Sequence, residues 1–378
     1  MHDRAALGSA DVSDEALATM VAGLLDTPVS SVALVDSTAE LVSYDIPAIT
    51  TGGRWWVRGT ADVSGEHTPF TLFVKQVHEW SRSPFFADVP VEVQPWAAQQ
   101  VPWRTEGAVY RSDLVDHLPT GLAMPRPFGV HDIDDLSYAV WLDVVPTVDA
   151  EWDLDRYRRA AHLLGRFAGS PAVRDRANVG GHEWDVSKYV EGRLKFQVLP
   201  MLGSDDLWHH PLLVEAFADL RPRLDRAAAS VDAVAAELMA LPVLAGHGDA
   251  CPNNLLVTPG DDDFTMIDFG FFTALPVGFD LGQLLVGDVQ IGLRPSDDLS
   301  ERGAASLTSY VDGLAAEGVD IDEQAVRRAH ALQLLLFTGL SALPFELLDA
   351  EPTEQVRAMA ATRATIARYS LDLFDQTG

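Results

Sequence analysis

Cysteine occurs once in the chain, at Cys251. A single thiol excludes an intrachain disulfide, and with no secretion signal it points to a reducing, cytoplasmic setting. Basic residues are scarce as well: 27 Lys and Arg stand against 56 Asp and Glu, a net charge of −29. Such a surface repels phosphate backbones, so no nucleic-acid partner is expected. No stretch reaches eighteen uninterrupted apolar residues, so neither a membrane span nor a membrane partner is expected. The first residues, MHDRAALGSADVSDEALATMVAGLLDT, lack a basic n-region, and their apolar run is short and broken. They do not form a signal peptide by pattern. Internal repeats and low-complexity tracts are also missing.

What is present is a globular composition. Hydrophobic residues make up 47% and charged residues 22%, enough apolar material for a sizeable core. At 378 residues the chain exceeds what one compact core usually holds, so two lobes are expected. The acid excess is spread along the chain rather than focused, which reads as a solvated surface. It would also steer a cationic small molecule, weakly and with strong salt dependence.

The patterning changes kind near Pro146. Residues 13–25 have the apolar spacing of a short helix. The segments SSVALVDS, RWWVRGTADV and FTLFVKQV then read as strands. Residues 94–117 read as mostly helical, MPRPFGVHD interrupts them, and SYAVWLDVV is a further strand. Residues 30–145 therefore predict a small antiparallel β lobe with one inserted helix, after an N-terminal helical extension over 1–29. Residues 146–378 predict a larger helical lobe. Leu154, Tyr157, Ala161, Leu164 and Ala168 share one helix face. Residues 211–240 predict one long amphipathic helix or two, kinked at Pro222. Further helices are expected over 300–318, 322–340 and 353–374. One β-like interruption, VLAGHGDACPNNLLVTPGDDDFTMIDFG, reads as strand, loop, short strand, Asp-rich turn and strand. The expectation is an α+β chain of two lobes with a cleft between them, where ligand sites concentrate.

That interruption holds the densest polar cluster. Structural zinc would need a second Cys or a paired His set, and neither exists. A cysteine nucleophile would need a positioned base, and no cysteine-enzyme signature surrounds Cys251. A third reading uses more residues. His247-Gly248-Asp249 is followed by Asn254, and fourteen residues later by Asp268-Phe269-Gly270 after an apolar strand. This is the spacing of the kinase catalytic loop and its metal-binding D-F-G turn. A hydroxyl attacking a γ-phosphate needs an aspartate to orient it and take its proton, the part assigned to Asp249. Mg²⁺ prefers oxygen ligands, which Asn254 and Asp268 supply.

Such a reaction asks the first lobe for a lysine late in a strand and a glutamate on a helix. Lys75 interrupts the apolar run TLFVK, and few lysines compete with it in that lobe. Glu106 lies on the helical stretch after it and is preferred over Glu79 and Glu92. Lys75 would bind the nucleotide's phosphates, with Glu106 fixing its position. Gly52 and Gly53, just before the strand WWVRGTADV, would let backbone amides approach phosphates, or form an ordinary hairpin turn. The backbone from Trp141 through Asp143 to Val144 stands where a hinge would hold adenine. Tyr138 and Trp141 also suit core packing.

The segments HGDACPNNLL, MIDFG and GFDLGQLL resemble those of the aminoglycoside phosphotransferase and choline kinase group, small-molecule relatives of protein kinases. The resemblance spans about residues 30–340 and is densest over 243–285. It implies a bilobal protein-kinase-like fold, with Asp249 as the catalytic base and Asn254 and Asp268 as Mg²⁺ ligands. It implies Lys75 as the phosphate-binding lysine and Asp280 as a brace for the loop. Two positions depart from the pattern. Cys251 replaces the histidine frequent two residues after the aspartate, so acceptor contacts are expected to differ. Gly248 replaces the arginine of protein kinases, and no A-P-E segment follows, so a protein substrate is not expected. The expected function is ATP-dependent phosphoryl transfer to a hydroxyl of a small acceptor such as an aminoglycoside, amino sugar or other sugar, with ATP as co-substrate and Mg²⁺. The alternatives are a nucleotide-binding regulator without turnover and an AMP transferase. Asn253 is expected to serve the turn.

Overall fold

The computed structural model describes residues 2–43, 48–181, 184–260 and 263–378. Asp261 and Asp262 of the expected Asp-rich turn lie outside them. The chain divides into two compact units, and the class is α+β, with a sheet in one unit and helices dominating the other. One unit comprises Met1–Asp116, Ala123–Thr147 and Val179–Glu183; the second comprises His117–Leu122, Val148–Asn178 and Trp184–Gly378.

The sheet unit begins with strand β1 (His2–Asp3) and helix α1 (Asp14–Leu24). Ser13 caps α1, its hydroxyl accepting from the Ala16 N–H at 3.2 Å. Strands β2 (Val32–Leu41), β3 (Thr51–Val63) and β4 (Glu66–His78) follow. Helix α2 (Thr105–Arg111) precedes β5 (Pro127–Asp134) and β6 (Ser137–Leu142). These form one six-stranded sheet in the order β1-β2-β3-β4-β6-β5. All neighbours are antiparallel except β1 and β2, which run parallel. The N-terminal residues are part of this unit's core: Leu7, Leu17, Met20 and Val21 pack with Val57, Leu72, Val74 and Trp141.

Three local expectations change here. Residues 94–117 hold two short α-helices, Gln94–Ala97 and α2, and a 3-10 turn at Leu114–His117, since Pro102 disfavours helix at itself and at Val101. MPRPFGVHD is largely strand β5 rather than a break. Gly52 and Gly53 lie inside β3 at a bulge opposite β4, not in a turn before the strand. A Cβ on Gly53 would stand 2.3 Å from the Trp55 ring, so this glycine makes room for an indole folded back along its own strand.

The helical unit opens with α3 (Leu154–Gly169), whose Asp153 cap accepts from the Arg156 N–H at 2.9 Å. Residues 211–240 form three helices, Pro211–Ala216, Arg221–Ala229 and Val231–Met239. Pro222 starts the second of these rather than kinking a long one, since the first turn needs no amide from it. The strands β7 (Val243–Gly246), β8 (Leu255–Val257), β9 (Phe264–Met266) and β10 (Thr273–Pro276) pair as β7 with β10 and β8 with β9. Helices α4 (Asp280–Gln290), α5 (Leu299–Ala316), α6 (Glu323–Leu334) and α7 (Glu354–Thr377) complete the unit. Among the described residues, no helix is long and apolar enough to cross a membrane.

Candidate active site

In the sheet unit, Lys75 sits near the end of β4, paired across the sheet with Arg54 and Val140. Alternation puts Leu72 and Val74 on the face covered by α1 and Lys75 on the opposite one. There its Nζ lies 2.7 Å from Glu106 Oε2, with both side chains almost wholly buried. Burying one of these charges alone would be strongly unfavourable, so each holds the other in place. The helix carrying Glu106 is fastened by Tyr138 of β6. The Tyr138 hydroxyl donates to the Trp103 carbonyl at 2.6 Å and accepts the Gly107 N–H at 2.9 Å. A Cβ on residue 107 would lie 2.8 Å from the Tyr138 ring, so glycine lets α2 come this close. Sequence patterning assigned Tyr138 to simple core packing and missed this clamp.

The expected hinge residues lie at the end of β6 and just beyond it. Trp141 is fully buried, its backbone paired with Val74 and Gly129. The Asp143 N–H donates to the Arg126 carbonyl at 2.9 Å, and the Val144 N–H to the Asp143 carboxylate at 2.7 Å.

In the helical unit, the polar loop leaves β7 at a fixed point, because Gly246 pairs with Thr273 of β10. Buried Asp280, the first residue of α4, then accepts the next two backbone amides. The His247 N–H lies 2.9 Å from one carboxylate oxygen and the Gly248 N–H 2.8 Å from the other. These bonds favour the carboxylate, yet burial still pushes its pKa above the ordinary value. His247 bridges in the other direction. Its Nε2 lies 2.9 Å from the Ile267 carbonyl and so carries the proton, while Nδ1 accepts the Asp249 N–H at 3.3 Å. Burial holds the imidazole pKa down and so favours this neutral form. Gly248 has φ of 84°, and a Cβ there would meet the Phe271 carbonyl oxygen at 2.5 Å. No side chain fits at 248, which accounts for the absence of an arginine.

Asp249 and Asn254 come together directly. Asn254 Nδ2 donates to the Asp249 carbonyl at 2.8 Å and to its carboxylate at 3.1 Å. The Asn254 carbonyl accepts the Ile267 N–H at 3.1 Å, which ties the loop to the segment ending at Asp268. Asp268 adopts φ 61° and ψ 61°, a left-handed conformation uncommon outside glycine. Such outliers concentrate at functional turns.

Cys251 is held as a thiol. Burial pushes its pKa well above the ordinary value, and the carboxylates of Asp249 and Asp288 push the same way. A nucleophilic cysteine needs the opposite environment. Asp288 was passed over in the sequence. It is nearly fully buried on α4 and accepts from Arg294 Nε at 2.9 Å. The signal available was an acid inside the otherwise apolar helix DLGQLLVGDVQ.

A buried acid accepting two loop amides, a loop aspartate bonded to an asparagine and a left-handed aspartate after a strand occur in the order that the kinase-type spacing predicts. Residues 97–310 match the family model described as the phosphotransferase enzyme family, more than half of the chain. The chain belongs to this family. Similar solved structures include an aminoglycoside phosphotransferase from Alicyclobacillus acidocaldarius, at 17% identity and a TM-score of 0.48, covering 89% of this chain and 97% of that one. An ethanolamine kinase from Plasmodium vivax is similar at 13% identity and a TM-score of 0.43, covering 93% and 85%. A choline/ethanolamine kinase family protein from Mesorhizobium loti is similar at 16% identity and a TM-score of 0.43, covering 89% and 92%. No curated protein sequence matches the chain. The protein is thus a phosphotransferase.

The donor set of this phosphotransferase fits a hard divalent cation. With Asn254 Nδ2 committed to Asp249, the amide oxygen would be the atom left to hold a cation, and the Asp268 carboxylate would be a second donor. Among the described residues no group of three or more His, Cys, Asp or Glu side chains could hold a metal alone. Two protein oxygens suit a Mg²⁺ site whose other positions belong to phosphate and water.

Proposed function

We propose that the protein transfers the γ-phosphate of ATP to a hydroxyl of a small, polyhydroxylated acceptor such as an aminoglycoside, an amino sugar or another sugar. Asp249 is the residue that orients the acceptor hydroxyl and takes its proton as the O–P bond forms. Asn254 and Asp268 are the Mg²⁺ ligands; the bound ion would neutralise charge on the phosphates. Lys75, positioned by Glu106, is the cation for the nucleotide's α- and β-phosphates. In domain terms, the sheet unit supplies nucleotide binding and the helical unit supplies transfer and the acceptor site. The net charge of −29 favours a cationic acceptor over an anionic one.

The observation that carries this reading is the pair of hydrogen bonds that Asn254 Nδ2 donates to Asp249. It pins the aspartate while turning the amide oxygen toward a ligand role. The test is an ADP-release screen across aminoglycosides, amino sugars and neutral sugars with the wild type and Asp249→Asn. The variant is expected to bind Mg·ATP with little change and to lose about 10²-fold or more in kcat, the usual worth of a general base. Full turnover by Asp249→Asn would reject the mechanism. Release of pyrophosphate in place of ADP would replace it with AMP transfer.

A further inference from the structure

Helices α5, α6 and α7 meet at a place that none of the residues assigned above lines. Among the described residues of these three helices, eight buried side-chain nitrogen and oxygen atoms have no hydrogen-bond partner. Three of them, both ring nitrogens of His330 and Arg327 Nε, belong to residues that line one pocket. A buried polar atom without a partner is costly, so these three mark a place for a polar guest.

A pocket of about 150 Å³ opens there. Exposed Ser300 and Gln376 stand at its mouth, Arg327 and Tyr369 line it, and His330, 2% exposed, is the most buried of its polar residues. The pocket is shaped by glycine: a Cβ on Gly303 would stand 2.0 Å from the Tyr369 hydroxyl oxygen. One acid, Asp372, also lines it, but that carboxylate already accepts from Arg223 Nη1 at 2.7 Å. Arg327 is held more loosely: its ion-pair partner Glu323 is 3.9 Å away, beyond hydrogen-bond range.

The polar groups offered to a guest are therefore mostly donors. Arg327 brings a guanidinium charge. Tyr369 brings a phenol, kept protonated because burial pushes its pKa up to about 12. His330 is neutral, since burial and the Arg327 charge hold its pKa at about 4, and so it brings one N–H. A metal cation finds no uncommitted carboxylate among the lining residues, whereas Arg327, with its ion-pair partner at 3.9 Å, has N–H groups to offer an anion. We infer that this pocket is a binding site for a small oxyanion, a phosphate or a carboxylate, paired with Arg327 and hydrogen-bonded by Tyr369 and His330.

The test uses the full chain, with calorimetric titration of inorganic phosphate and, separately, of acetate, against a sodium chloride control. Both titrations are run with and without saturating Mg·ATP. At least one anion is expected to bind saturably whether or not Mg·ATP is present. Arg327→Met is expected to weaken that binding about tenfold or more, and Tyr369→Phe several-fold, with thermal unfolding of the free variants showing that both still fold. Preference for phosphate or for acetate names the source of the oxyanion. The assignment is overturned if neither anion binds saturably, in which case the pocket holds water only. It is equally overturned if Arg327→Met binds as the wild type does, or if Mg·ATP displaces all the anion.

Discussion

His330 shows how far one buried side chain can govern pH behaviour. Its imidazole is held at a pKa of about 4 against an ordinary 6.5, because the protonated ring would be buried beside the Arg327 cation. The titratable groups that line the same pocket are Arg327 on its own helix and Tyr369 and Asp372 on α7. A depressed folded-state pKa means that the unfolded chain binds the proton first as pH falls. The stability tied to neutral His330 is thus fully present above pH 6.5 and drains away down to about pH 4. In full it amounts to about 3 kcal/mol. Chemical denaturation of the wild type and His330→Gln, in buffer free of phosphate and carboxylate, should show the difference between them shrinking over that window. Parallel pH profiles would show that His330 does not carry this dependence. His247, whose pKa burial also lowers, contributes in the same direction in both proteins.

At the scale of elements, contact between backbones decides the packing of the helical unit. Helices α3 and α5 cross at two glycines. A Cβ on Gly165 would lie 2.1 Å from the Tyr310 carbonyl oxygen, and one on Gly313 would lie 2.0 Å from the His162 carbonyl oxygen. Neither obstacle is a flexible side chain that can swing away. Gly165→Ala and Gly313→Ala should each lower stability by about 2 kcal/mol or more, since overpacking forces the helices apart. Thermal unfolding measures this. A loss no larger than that of Gly318→Ala, where a Cβ meets nothing within 4 Å but φ is 79°, would show that close approach is not the reason for glycine. Much at this scale was legible in advance. The helices near 154–168, 300–318, 322–340 and 353–374 follow from apolar spacing. The subdivision of 211–240 was not legible, because its amphipathic stripe continues across the breaks. Pro222 is compatible with either a kink or a start, and only its neighbours choose.

For the whole molecule the governing quantity is the net charge of −29. Like charges on a folded surface repel, and ions screen them over about 10 Å at 0.1 M salt. The local ion pairs pull the other way: Arg223, for example, bonds both Asp372 and Asp375 at 2.7 Å. Such exposed pairs contribute little each, about 0–1 kcal/mol. Repulsion should therefore dominate, and the melting temperature should rise by a few degrees as sodium chloride increases from about 0.05 to 0.3 M. A falling melting temperature would mean that the ion pairs outweigh the repulsion. The charge imbalance was readable from composition, whereas which arginines meet which acids was not, since most partners lie far apart in sequence.

Membership of a phosphotransferase family was already legible in residue identity and spacing. Asp249, Asn254 and Asp268, set around a short strand, have the spacing of a kinase-type loop. Lys75 was conspicuous because a charge inside an apolar strand demands a partner. Tertiary structure decided what spacing cannot encode. It chose Glu106 as the partner among the acids that follow Lys75, because only α2, clamped by Tyr138 through Gly107, reaches the right face of β4. It placed Gly52 and Gly53 inside a strand, where an indole needs the room. It also gathered His330, Arg327 and Tyr369 around one pocket from two helices distant in sequence. Periodicity along a chain reports which residues share a face; only the folded chain determines which faces meet.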